Sequence, residues 1–559
     1  MTSCDDLFGV MDNPMSPGLK VSTPTIQVEV GKTFRCNATA STKAKLIFTS
    51  ADPSIATVDS YGVITGVKEG KTTVTVKTEG VDDTYKKMFN TESMTVAVEV
   101  YKYHVKGLEL SETDMMVTLD EDDDPVTLKP IFTPTNTSIK TVVWKSSDEA
   151  VAKVDDKGVV TFVGKGSATI TATATNGTEE TDDDVEATCE VIVNKPVDLT
   201  SITDGVIPDY VALTGTLGTN MKISIAAGAT VTLNDVSINA DGGWTSGSYA
   251  GLTFEGDATV ILKGENVVTG FHQYYPGIYV APDKTLTIKG DGQLEASCSN
   301  LTNGYGAGIG GGAQIDCGNI VIESGTIVAK GGNNAAGIGS GLQGGCGNII
   351  IKGGDITASC AKGLCGVGIG SASGPSKTCG NITITGGTIN ASGGPVGVGI
   401  GCGAGASNIG NITITGGDIT AQGGTSAVGI GVGSRGTCGN ILIEGGDITA
   451  TGGDNGAGIG TSHGSSTLDL TVCGDIKITG GTINATAGKN AAGIGTGYGR
   501  HISGGTYTGR AKCGDITITA GVTQVTATKG EDATNSIGAG VDGVCGTVTI
   551  DPAANVTQN

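Results

Sequence analysis

Tyr498, Arg500, His501, Tyr507 and Arg510 crowd into one segment, 496–512, of a 559-residue chain that is only 4% aromatic and carries a formal charge of −22. A tyrosine ring can stack on the apolar face of a sugar while a guanidinium bonds its hydroxyls or a carboxylate, so this mixture suits saccharide binding. A tolerated loop with no ligand is the alternative. A second concentration of rings, Trp244, Tyr249, Phe271, Tyr274, Tyr275 and Tyr279, offers the same stacking. An apolar cap at the end of a core would draw on such rings too.

Acids that could cleave a glycosidic bond must come as a pair about 5–10 Å apart, and a lyase needs a base together with Ca²⁺ ligands. Asp355, Asp418 and Asp447 recur in Gly-Gly-Asp-Ile-Thr, but Thr388 and Thr482 take the same slot, which marks a surface position indifferent to charge. No catalytic residue is expected, with a lyase or hydrolase as the alternative. The acidic runs 120–124 and 179–184 could gather around Ca²⁺, yet they lack spaced ligands and suit solvated hairpin tips, so no cofactor is expected. The 14 cysteines include no CxxC pair with a nearby histidine, which argues against a metal site.

The elements that would position these residues follow from a repeat. Cys-Gly-Asn/Asp begins at 317, 346, 379, 438, 473 and 513 and as Cys-Gly-Thr at 545, with Ile409-Gly-Asn filling the missing turn. A period near 30 containing three short β segments is one coil of a parallel β-helix. Weaker copies start at Ala229, Ala258 and Lys284, giving about eleven rungs and a rod of roughly 50 Å. In Asn381-Ile-Thr-Ile-Thr385 the isoleucines alternate with threonines, which predicts inward ladders of Ile and outward ladders of Thr. The Ile of Gly-Ile-Gly at 309, 338, 369, 400, 430, 459 and 494 makes a further inward ladder, its flanking glycines permitting a tight turn at positive φ.

Stacked cysteines one rung apart are close enough to tempt a disulfide assignment. Their side chains point in parallel and Ile409 fills the same slot, so buried, reduced thiols are expected, with Cys360–Cys365 as the candidate local bridge. The interval from Gly-Ile-Gly to the next Cys or to Ile409 is 7, 7, 9, 8, 7, 13, 18 and 7 residues. Insertions thus gather at one corner, in 461–472 with His463 and in 496–512, as binding loops do on a repeat scaffold.

Composition sets the outer limits. Residues 1–195 hold 12 of the 95 glycines and the rest hold 83, so two architectures share the chain. Both parts are acidic, which excludes nucleic acid and anionic membrane surfaces as partners. No run of 18 apolar residues occurs, so contact with a membrane would require a lipid anchor.

The first part superposes on itself at an offset of 96 residues, Asp52–Val58 falling on Asp148–Val154, Gly62 on Gly158 and Gly70 on Gly166. Two copies of one β-sandwich follow. The pattern S-x-D-x-x-x-A-x-V-D-x-x-G resembles the bacterial Ig-like group 2 domain, which implies modules that extend and present something else. The start Met1-Thr2-Ser3-Cys4-Asp5-Asp6 resembles the lipobox and mature start of a bacterial lipoprotein, with Met1 where an aliphatic residue is usual. That likeness implies a lipid on Cys4 and, with Asp5 and Asp6, surface display on the outer membrane in Bacteroidetes; an ordinary terminal cysteine is the alternative. The Gly-rich part resembles right-handed β-helix regions of surface proteins often named carbohydrate-binding, a likeness of fold that transfers no site residue. The expectation is an all-β protein: a tether at 1–19, Ig-like domains at 20–104 and 105–195, and a right-handed parallel β-helix at 196–559. Its expected role is adhesion to an extracellular glycan or host surface, with a structural or filament component as a further alternative.

Overall fold

The computed structural model describes the chain apart from residues 1–15, 41–43, 80–89, 139, 176–183, 204, 241–246, 361–364, 375–377, 406, 465–469 and 500–509. It divides into two compact units, the first mainly residues up to 191 and the second 116–123, 164–166 and 192–559. Among the described residues the one helical element is the 3-10 turn Leu199–Ser201, and no helix is long and apolar enough to cross a membrane.

In the first unit, alternation of Val and Thr makes half-buried strands. Gly70–Glu79 sends Val74 and Val76 inward, where they meet Ile26, Ile64, Val96 and Val98. A four-stranded sheet (Thr25–Glu29, Ser93–Tyr101, Gly70–Glu79, Lys45–Ser50) and a three-stranded one (Thr33–Arg35, Val63–Gly66, Ala56–Val58) share this core. The offset of 96 is kept in atomic detail. Asp59 Oδ1 accepts from the amides of Tyr61 (2.9 Å) and Val63 (2.8 Å), and Asp155 Oδ1 from those of Lys157 (2.8 Å) and Val159 (2.9 Å). Gly62 and Gly158, at φ 76° and 80°, leave room for the rings of Phe48 and Trp144, which a Cβ would approach to 2.8 and 2.7 Å. Both position and contact therefore exclude a side chain there.

The second unit is a parallel β-helix. One face is a sheet of twelve short parallel strands from Val206–Ile207 to Ile537–Gly538, so the coil has one turn more than the motif count predicts. The additional turn lies at the start, where Gly-Ile-Gly is absent. Ile320, Ile349, Ile382, Ile412, Ile441, Ile476 and Ile516 pair in register on a second face. On the third face Ile327, Ile356, Ile389, Ile419, Ile448, Ile483 and Val525 do the same. All are almost wholly buried, and each such side chain contributes on the order of 2 kcal/mol of burial. The bore needs few rings: Phe254 and Phe271 are its large aromatic residues. Leu199 closes the early end of this core, its turn capped by the Asp198 carboxylate accepting from the Thr200 amide at 2.8 Å.

The glycines of Gly-Ile-Gly act differently from expectation. Only the second takes positive φ, between 130° and 137° at Gly310, Gly339, Gly370, Gly401, Gly431, Gly460 and Gly495, as does Gly538 of Ser-Ile-Gly at 127°. The first is held by crowding, since a Cβ on Gly368, Gly399 or Gly429 would lie 2.6–2.8 Å from backbone atoms of adjoining strands.

The third residue of Cys-Gly-Asn/Asp forms a ladder that composition does not reveal. Asn319 Oδ1 accepts from the Asn348 amide, Asn348 from Asn381, Asn381 from Asn411, and Asn411 from Asn440, each at 2.8 Å. Asn440, Asp475 and Asp515 continue it to the amides of Asp475, Asp515 and Thr547. The cysteines before it face the bore, but one expectation fails: Cys346 and Cys379 are joined as a disulfide. Parallel stacking sets their Cα atoms 4.4 Å apart, within the span of a bridge, and rotation about the side chains brings the sulfurs together. Cys360 and Cys365 are free thiols.

Candidate functional site

The early turns gather rings at one corner. Phe271 does not decorate the surface; it is fully buried, packed on Tyr249 at 4.9 Å between centroids, and anchors the loop behind it. The chain then reverses, with the Tyr275 amide donating to His272 O at 2.9 Å. Neighbouring turns fix the loop: Tyr305 N donates to Gln273 O (2.6 Å), Ala313 N to Tyr274 O (2.8 Å) and Leu342 N to Tyr305 O (3.0 Å). Backbone so pinned sets where its rings emerge before any ligand arrives.

The result is a two-ring platform. Tyr274 and Tyr305 lie 5.8 Å apart at an interplanar angle of 17°, and His272 tilts against Tyr274 at 5.0 Å. With Ser248, Tyr275, Ala313, Gln314, Ile315 and Leu342 they line a cavity of about 490 Å³. Gln314, left-handed at φ 60°, supplies a polar lining group, and its amide donates to Gln343 Oε1 at 2.9 Å.

A second cavity of about 360 Å³ shares Ser248, Tyr275 and Ile315 and adds Lys222, Tyr249, Thr253, Glu255 and Tyr279. Its cation is already matched, Lys222 Nζ lying 2.7 Å from Glu255 Oε1. Tyr279 donates to Asp316 O at 3.3 Å, and burial pushes its phenol up to about 12. Burial also raises Tyr249, whose hydroxyl bonds Asn220 Oδ1. Both phenols thus stay protonated, and the two adjoining cavities offer stacking faces and uncharged donors and acceptors.

Of the residues expected to bind, Tyr274 and Tyr275 belong to this cleft, whereas Trp244 lies outside the described residues. So do Arg500, His501 and Tyr507, Cys4, and all of the run 179–184 but Asp184. Tyr498 is half-buried, its carbonyl accepting from the Gly464 amide at 2.7 Å, which brings the two long corner insertions together. Arg510 is buried rather than presented to solvent, and its carbonyl accepts from the Thr471 amide at 2.9 Å. His463 Nδ1 lies 3.1 Å from Ser426 O.

Asp355, Asp418 and Asp447 are exposed and share a register with Thr388 and Thr482. In the run 120–124, Asp122 is engaged by Lys263 at 2.6 Å. Among the described residues no three His, Cys, Asp or Glu side chains converge as metal ligands. Sequence reasoning missed Tyr305, Gln314 and Leu342. Tyr305 stands 31 residues after Tyr274, one turn of the coil in the register that pairs Ile278 with Ile309, and that spacing was its available signal.

Comparison with known proteins agrees with the fold. Residues 17–88 and 105–185 match the bacterial Ig-like domain (group 2) family. Residues 286–313, 320–342, 382–404, 441–463 and 476–498 match the β-helix repeat family. An uncharacterized protein of Clostridium acetobutylicum is 28% identical over 152 residues, which is 26% of this chain and 13% of that protein's length. Among solved structures, domains 4 and 5 of the S-layer protein SbsC align at 19% identity over 31% of this chain and 96% of theirs, with a TM-score of 0.20. Mouse cadherin-23 EC22-24 aligns at 15% identity over 32% of this chain and 64% of its own, with a TM-score of 0.15. Ig-like domains together with β-helix repeats make up a surface or binding protein.

Proposed function

We propose that the protein is a cell-surface glycan-binding adhesin, displayed through a lipid on Cys4, in which Ig-like modules serve as stalk and the cleft at Tyr274, Tyr275 and Tyr305 binds the sugar without cleaving it. The observation that carries this reading is the pinned Tyr274–Tyr305 platform over a cavity of about 490 Å³. Stacked rings fit the apolar face of a pyranose, while Gln314 and Ser248 reach its hydroxyls. The lone cation of the adjoining cleft is neutralised by Glu255, so the favoured ligand is a neutral oligosaccharide rather than an acidic one.

A panel of neutral and acidic glycans tests this. Retention of neutral chains at unchanged length, lost at least tenfold in Tyr305→Ala and Tyr274→Ala, supports the reading. Shortened chains would make the protein an enzyme. Intact binding in both variants, with loss on deleting 497–511, would move the site to the late corner. Anchorage is tested separately by membrane association of the full gene product, which Cys4→Ala should release.

A further inference from the structure

The column of inward cysteines continues beyond the Cys346–Cys379 bridge. Ile409 interrupts it, and Cys438, Cys473, Cys513 and Cys545 then follow on successive turns in direct register. Four thiols in a row can pair from the ends, or through the middle with two left over. The side chains mark the last pair: Cys513 points its S–H at Cys545 Sγ across 3.1 Å. Cys513 and Cys545 stand in the same parallel register as Cys346 and Cys379, where a bridge forms.

The two partners differ in a useful way. Cys513 is buried, whereas Cys545 is half-buried on the last described turn, beside exposed Val544 and Val548. The hydrogen bond from Cys513 lowers the Cys545 thiol, while the same bond, with burial, raises Cys513. Cys545 is therefore the accessible group and the first to ionise.

We infer that Cys513 and Cys545 are a second cross-turn disulfide pair, closed by exchange with a small-molecule disulfide, and that the bond fastens the last described turn to the one before it. The Cys545 thiolate attacks one sulfur of the small disulfide, whose S–S bond breaks to release one thiol. Cys513 then loses its proton and attacks the Cys545 sulfur, expelling the second thiol. Two S–H bonds are replaced by one S–S bond, and the two electrons leave with the reduced small molecule.

The full chain, exposed to glutathione disulfide and then alkylated, is digested without reductant for mass spectrometry. The expected product is a Cys513–Cys545 linked peptide from a monomer, at least tenfold lower alkylation of both residues, and an unfolding midpoint raised by roughly 5 °C. Cys545→Ala should leave Cys513 alkylatable and remove the shift. Four results would overturn the inference: both thiols still alkylated, glutathione retained on Cys545, a Cys473–Cys513 link, or a bond between two chains. The peptide map of the unsubstituted protein decides the matter even if the variant folds poorly.

Discussion

The turn carrying Ile278–Val280 and the turn carrying Ile430–Val432 are the same coil put to different uses. After the inward isoleucine the first places Tyr279 and the second Gly431. Tyr279 lines a cavity; Gly431, at φ 137°, approaches the next turn so closely that a Cβ would fall 2.0 Å from Gly460 O. Later turns use the slot to stack backbone on backbone, and early turns use it to hold a side chain over a cleft. A repeat scaffold thus makes a site by relaxing its own stacking rule locally, without changing the fold.

The largest expected effect tests the stacking rule. Gly431→Ala should destabilise the solenoid by about 4 kcal/mol, combining backbone strain with the clash. Urea unfolding with hydrogen exchange at neighbouring turns would measure it, and a loss below about 1 kcal/mol would break the contrast between the two turns. In the same turn Ile430→Ala should cost about 3 kcal/mol, because a buried isoleucine leaves a cavity that rigid turns above and below cannot fill. Cys438→Val, a near volume-conserving exchange in a column that already accepts Ile409, should cost about 1 kcal/mol or less by the same measurement.

The smallest effect concerns the early turn and appears only in alkali. Tyr279 is raised to about 12 in the folded protein from an ordinary value of 10.0. The phenol is protonated in both states below that ordinary value; above it the unfolded chain loses its proton first, so stability falls as pH rises from about 10 toward 12. Tyr279→Phe should match the wild type near neutrality and lose less of its unfolding midpoint across that alkaline window. Parallel curves would mean that Tyr279 is not buried in the way its cavity implies.

The ladders of isoleucine were legible because a 30-residue period with alternation leaves one arrangement that buries them. Both sandwiches were legible for a related reason: an offset of 96 preserves Asp59 and Asp155, whose side-chain bonds shape the same turn twice. The cleft was legible only in part. Tyr274 and Tyr275 stood out by type, but their partner Tyr305 belongs to the next turn, and which rings meet depends on backbone bonds between turns. The glycine roles were half visible, since spacing shows that no side chain fits and does not say whether strain or crowding forbids it. The Cys346–Cys379 bond is not legible from parallel stacking alone, because a 4.4 Å Cα separation leaves bridging to side-chain rotation.

The Asn and Asp ladder gives the solenoid a direction. Every rung's Oδ1 reaches forward to the amide of the following turn, from Asn319 to Asp515, and none of these bonds runs backward. Each finished turn consequently presents an acceptor, already oriented, to chain that has yet to be made. Synthesis and export both begin at the N-terminus, so chain emerging on the far side of a membrane finds its template in the turn just completed, and the coil can assemble as it arrives instead of waiting for its end.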